Sequence, residues 1–280
     1  LVTVDAAFRT DICFFASAST HLLADLAGYY VFGAGDGFAP VLPVRMFDTR
    51  KSSKIASNTF FEFDLSPYVA SDASSAVFNL TATDVGGAGY VTAYPCGPDP
   101  PVASNLNVRA GQTVPNLVTV ALPVNKHVCF FTSAATNLIA DLAGWYAASA
   151  LSGFIAIEPT RWADSRDSSD VPLEAGSVYS VAFGLDFPDA TAMVLNATVT
   201  EPTAAGYLTA YPCAPDPPLA SNVNFVAGQS VPNMVISATD TNGMLCVFNS
   251  AASHWIMDVS GYFTKSLQFF AFFPAGTDIS

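Results

Sequence analysis

One pattern occurs three times along this chain. A cysteine is followed by a small polar patch, then by an apolar run that ends in glycine and two aromatic residues. The first copy runs from Leu1 through Cys13 to Gly28-Tyr29-Tyr30. The second runs from Asn116 through Cys129 to Gly144-Trp145-Tyr146, and the third from Asn233 through Cys246 to Gly261-Tyr262-Phe263. A chain that repeats itself this way is confined to a row of similar supersecondary units, each completed by packing on its neighbours.

The spacing is regular. Cys96 recurs as Cys213, Asn105 as Asn222 and Gly144 as Gly261, each 117 positions on. Asp48 recurs as Asp164, 116 positions on, so a one-residue insertion is expected between these marks. The resulting division is an incomplete repeat over 1–32, a complete repeat over 33–147, a second over 153–263, and the start of a further repeat, or an interaction tail, over 264–280. Leu1 falls in mid-pattern, so the chain is expected to be processed or to be an excerpt of a longer one.

Within a repeat the local signals are those of β-structure. Ala76–Thr83 and Gly89–Pro95 alternate in polarity and are rich in β-branched and aromatic residues. Asp99-Pro100-Pro101 and Asp216-Pro217-Pro218 cannot lie in a central strand and mark loops. Around Asp141, alternation places Leu138, Ala140 and Leu142 on one face and Ile139, Asp141 and Trp145 on the other. Leu1–Val4 and Ile12–Ala16 read as strands, and Ser66–Val69 as a short helical turn. Many short strands with frequent turns predict an all-β chain of tandem sandwich-like repeats of about 117 residues.

Composition narrows the partners. Against 10 lysines and arginines stand 23 aspartates and glutamates, a net charge of −13, which argues against nucleic acid and against an anionic membrane surface. No run of about 18 apolar residues is present, so no membrane span is expected. Mean hydropathy is +0.39, high enough that apolar residues are expected to serve contacts between repeats as well as cores.

The motif series Pro159-Thr160-Arg161, Asp164-Ser165-Arg166, Leu195-Asn196-Ala197-Thr198, Gly206–Cys213, Ser221-Asn222-Val223-Asn224, Gly228-Gln229 and Asp258–Phe263 covers most of one repeat. It resembles a β-rich repeat of large secreted and cell-surface proteins of actinobacteria and related bacteria, found in tandem or beside catalytic domains. The first complete repeat departs from it at Pro43-Val44-Arg45, where threonine is replaced, and the tail departs at Pro274-Ala275-Gly276, where arginine is missing. The resemblance implies a structural or accessory module outside the cell or on its surface, and it supplies no activity.

Cys96 and Cys129 lie 33 apart, as do Cys213 and Cys246, which fits one disulfide per complete repeat in an exported chain. Buried free thiols are the alternative. Zinc is not expected, because no closely spaced cysteine–histidine set accompanies the pairs. Cys13 lacks a partner within its partial repeat and is expected to be unpaired, to bond another molecule, or to pair in an upstream continuation.

The recurring charges are Asp25, Asp141 and Asp258 on strands, and Arg45, Arg50, Arg161 and Arg166 at matching positions. A carboxylate between apolar strand residues needs a cation or N–H donors, so these are expected to form a structural polar core. Calcium is a weaker reading, since Asp48 and Asp164 add oxygens but no dense acidic loop exists. His21 and His254 are equivalent, but Asn137 stands there in the middle copy, and His127 has no counterpart; no catalytic constellation recurs. Asn79-Leu80-Thr81 and Asn196-Ala197-Thr198 fit glycosylation sequons but are expected to hydrogen bond within strands. Asn105, Asn107, Asn222 and Asn224 are candidate glycan contacts beside Tyr94 and Tyr211.

The expected function is therefore a non-catalytic structural or adhesive segment of a cell-surface protein or fibre, without metal or cofactor. A carbohydrate-binding accessory module is the alternative. Expected partners are further copies or continuations of the same repeat at both ends, forming a filament if unlike ends meet, and cell-wall glycan.

Overall fold

A computed structural model describes residues 13–32, 35–167, 170–265 and 270–274. The chain is all-β and antiparallel. After β1 (Gly28–Phe32), the first repeat contains β2 (Gly37–Asp48), β3 (Thr59–Asp64), β4 (Ala73–Thr83), β5 (Gly89–Pro95), β6 (Leu106–Val108), β7 (Val114–Ala121), β8 (His127–Thr132) and β9 (Asn137–Ala147). The second contains β10 (Gly153–Asp164), β11 (Ser177–Ala182), β12 (Ala190–Thr200), β13 (Gly206–Pro212), β14 (Val223–Phe225), β15 (Val231–Ala238), β16 (Met244–Asn249) and β17 (His254–Thr264). A last strand, β18 (Phe270–Pro274), closes the described chain.

In the first repeat β2-β9-β4-β7 form one sheet and β3-β8-β5-β6 the other. In the second, β10-β17-β12-β15 and β11-β16-β13-β14 repeat that order, with β18 and then β1 added beyond β10. Each pair of sheets encloses its own core. Phe78, Leu80, Val118, Phe130, Leu138 and Leu142 fill the first; Met193, Leu195, Val235, Leu245, Met257 and Val259 fill the second. The inward positions alternate with outward ones along each strand, as a half-buried pleated strand requires.

The elements of the two repeats correspond, but not at one offset. Gly37 and Gly153, which open β2 and β10, are 116 apart; Thr59 and Ser177 are 118 apart; Ala73 and Ala190 are 117 apart. The single insertion expected from sequence is thus a net figure. Two residues are gained in the loop before β11 and one is lost between β11 and β12.

The alternation expected around Asp141 also breaks. Gly144 pairs with Val77 while Leu142 pairs with Phe78, so Ala143 is a bulge on β9. The extra residue flips the phase: Trp145 packs on the inner core with Leu142, and Tyr146 faces outward. Gly144 is needed beside this bulge. A Cβ there would lie 2.4 Å from Cζ of Phe38, and at Gly261 one would lie 2.5 Å from two ring carbons of Phe154. The glycine–aromatic–aromatic signature therefore makes a floor across which the neighbouring strand's phenylalanine lies.

Two other readings are corrected. Cys13–Phe15 and the residues through Ala27 carry no strand, and Phe15 and Leu23 are exposed. Leu1–Val4 lie outside the described residues. Ser66–Val69 form a turn rather than a helix, closed by the Tyr68 amide donating to the Leu65 carbonyl at 2.9 Å. Among the described residues helix is limited to two single 3-10 turns, Thr49–Lys51 and Ser165–Asp167.

Candidate functional site: the joint between the repeats

The outward face of the β2-β9-β4-β7 sheet is not left to solvent. Phe38, Val77, Leu117, Ala143 and Tyr146 meet Phe154, Val194, Met234, Ile236 and Phe263 in a third apolar cluster. Tyr30 of β1 stacks on Phe154, ring centroids 4.5 Å apart, and shares a 2.6 Å hydrogen bond with the Tyr146 hydroxyl. Burial raises both phenols well above the usual tyrosine value.

Beside this seam lies a polar lock. Arg45 and Asp141 are opposite one another on β2 and β9, and Asn79 is opposite Asp141 on β4. Arg45 binds both carboxylate oxygens, one through Nε and one through Nη2 at 3.1 Å. Asp141 Oδ2 also accepts the Ser221 amide at 3.0 Å, while Asn79 Nδ2 donates to the Ser221 carbonyl at 2.5 Å. Both backbone groups of one residue are thus read by two side chains of the other repeat. Asn233 donates to Asn79 Oδ1 at 2.8 Å and accepts the Leu117 amide at 3.2 Å; Asn224 donates to Thr81 Oγ1 at 3.1 Å. Burial pushes the Asp141 carboxyl above its ordinary value, and Arg45 and the Ser221 amide oppose that rise.

The remaining charges sit elsewhere. Arg50 and Arg166 are half exposed and grip Asp48 and Asp164, not the strand aspartates. Arg166 holds Asp164 at about 2, well below its usual value, and Arg50 lowers Asp48 in the same way. Arg161 binds Asp258, but with the arginine side chain 51% exposed and the carboxylate 28%, against 15% and 3% for Arg45 and Asp141. Asp25 is exposed and joins no polar core among the described residues. The expected polar core is therefore fully buried only where the second repeat covers the first.

The asparagines are similarly divided. Asn105 and Asn222 each accept a β-strand amide, from Ala93 and Ala210 at 2.7 Å, and so brace their loops. Asn222 is buried and Asn224 bonds Thr81 within the joint, whereas Asn107 is exposed. Asn79 is buried at 1% and bonded within the joint, leaving no room for a glycan.

The nearest approach to a catalytic group is Ser165 Oγ, 3.0 Å from His254 Nδ1. Its counterpart is Thr49 Oγ1 on Asn137, and each hydroxyl also accepts the following strand's amide, from Trp255 or Leu138. An amide that replaces the imidazole in the same bond marks a structural cap. Glu62, Cys96 and Cys129 cluster like metal ligands, but the sulfurs bond each other and Glu62 binds His127 at 2.5 Å.

Cys96–Cys129 and Cys213–Cys246 are disulfides, each tying the end of β5 or β13 to β8 or β16. Cys13 is free and exposed. No family model, curated protein or solved structure matches this chain. Its geometry alone must carry the functional reading. Among the described residues no helix is long and apolar enough to cross a membrane, and the two disulfides fit an oxidising compartment.

Proposed function

We propose that this chain is an extracellular, non-catalytic structural segment of a cell-surface protein or fibre, in which sandwich repeats are stacked in series. The joint carries this reading: side chains of one repeat bind the backbone of the next, and an apolar seam runs beside them. Such a joint resists bending and transmits load between modules. A disulfide within each repeat limits how far the chain can pay out if a sandwich opens.

Pulling the chain by its ends tests this. Discrete unfolding steps are expected, and each should lengthen by roughly 110 Å under reducing conditions, as 33 residues at about 3.3–3.6 Å apiece are released. Smooth extension without steps would overturn the mechanical reading.

A second reading, carbohydrate binding, has one observation in its favour. Tyr90 is exposed, lies opposite Asn107 in the β5–β6 pair, and sits 5.7 Å from the Phe131 ring. An exposed aromatic beside an exposed amide suits a sugar ring. Retention on insoluble cell-wall glycan that is lost in Tyr90→Ala would support it; equal retention of both proteins, or none, would remove it.

A further inference from the structure

Each repeat carries both halves of the joint, and the joint inside the chain uses only one half of each. The donor loop of the second repeat, Ser221–Asn224, fills the socket of the first. The socket of the second repeat and the loop of the first remain uncovered. We infer that the Asp258–Asn196–Thr198 socket binds the Ser104–Asn107 loop of a second copy of this chain, head to tail.

The uncovered socket is already built. Asp258 is opposite Arg161 on β10 and opposite Asn196 on β12, the register that Asp141 has with Arg45 and Asn79. Asn196 Nδ2 lies 3.4 Å from Thr198 Oγ1, the same distance as Asn79 from Thr81. Arg161 binds Asp258 Oδ1 through Nε, as Arg45 binds Asp141. Oδ2 of Asp258, the oxygen whose counterpart takes the Ser221 amide, has no hydrogen-bond partner among the described residues. Asn196 is exposed where Asn79 is buried.

The uncovered loop is equally prepared. Asn107 donates to Ser104 Oγ at 3.1 Å, as Asn224 donates to Ser221 Oγ at 3.2 Å. Asn116 donates to the Asn105 carbonyl at 2.7 Å, as Asn233 donates to the Asn222 carbonyl at 2.6 Å. Thr92 holds the Ala103 carbonyl at 2.5 Å and Thr209 the Ala220 carbonyl at 2.6 Å. The loop has one shape whether or not it is docked, so docking orders little that is not ordered already.

In the assembled joint Asp258 accepts the Ser104 amide, Asn196 donates to the Ser104 carbonyl, and Thr198 accepts from Asn107. The contact is heterologous, so it propagates instead of closing on itself. It is weaker than the internal joint, because Val194, Met234 and Phe263 are already engaged by the first repeat. Copies that each carry −13 also repel, and added salt screens that repulsion.

This inference rests on the stacked-segment reading but is tested apart from it, by sedimentation velocity on the whole chain. Asn196→Asp spoils the socket by placing an acceptor against a carbonyl, and Asn107→Asp spoils the loop by removing its donor. Both residues are exposed, so both variants should melt with the wild type. The wild type should sediment faster as concentration and salt rise, without a plateau at the dimer. Each variant alone should stay monomeric, and an equimolar mixture should give a one-to-one dimer and nothing larger. A wild type that is monomeric at every concentration would refute the joint. So would variants that assemble like the wild type, a result that leaves the pulling experiment untouched.

Discussion

At the scale of single residues, the two glycines beside the bulges are tightly constrained positions. Gly144 and Gly261 each hold an aromatic ring within a distance no Cβ tolerates, and a carbonyl of the same neighbouring strand blocks the way out. Gly261→Ala should therefore cost about 1–3 kcal/mol, the usual scale for overpacking, measured by denaturant unfolding. A loss below a few tenths would mean that Phe154 moves aside freely. Asp164 gives a pH signature. Its folded-state value, about 2, lies below the ordinary value of about 3.9 for an unfolded aspartate. Its contribution is thus complete above that ordinary value and disappears as pH falls toward 2. Asp164→Asn should flatten melting temperature against pH in that window. Asp141 acts in the opposite sense, since its raised value makes its burial cost grow as pH rises above the ordinary aspartate value.

At the scale of elements, the disulfides determine how firmly the smaller sheet is held. β6 and β14 have only three residues each, so β5 and β13 depend on their pairing with β8 and β16 and on the cystine at its end. Replacing Cys213 and Cys246 by serine should cost roughly 3–4 kcal/mol on the chain-entropy estimate, with calorimetry as the measure. Much of this level was legible in the sequence, because alternation is a property of one strand and the cysteine spacing was duplicated. The bulge was not: alternation counts residues, and one extra residue at Ala143 sends Trp145 to the opposite face. Asp25 was misread for a related reason. It has the same immediate neighbours in sequence as Asp141, but the described residues 13–27 carry no strand and the side chain is exposed.

At the scale of the whole molecule, the two sandwiches form one structure through the joint. Contact between repeats was expected from the hydropathy, but its place was not legible, because Asn79 and Asn196 are the same letter in the same motif and only one of them is covered. The difference lies in what packs against the sheet, which no local pattern records. Asn233→Ala removes a donor to Asn79 and an acceptor for the Leu117 amide while sparing both cores. It should split a single calorimetric transition into two, one for each repeat. A transition that stays single would mean that the apolar seam couples the sandwiches by itself.

That seam also contains an optical reporter. The hydrogen-bonded hydroxyls of Tyr30 and Tyr146 lie among Phe38, Phe154 and Phe263, where burial disfavours a phenolate. The folded protein holds these protons more tightly than the unfolded chain does. Above the ordinary tyrosine value of about 10, each rise in pH therefore favours unfolding. In an alkaline titration followed by ultraviolet absorbance, Tyr30 and Tyr146 should ionise late, in one abrupt step that coincides with the parting of the repeats, so the chain announces the failure of its own seam in the spectrum of its phenols.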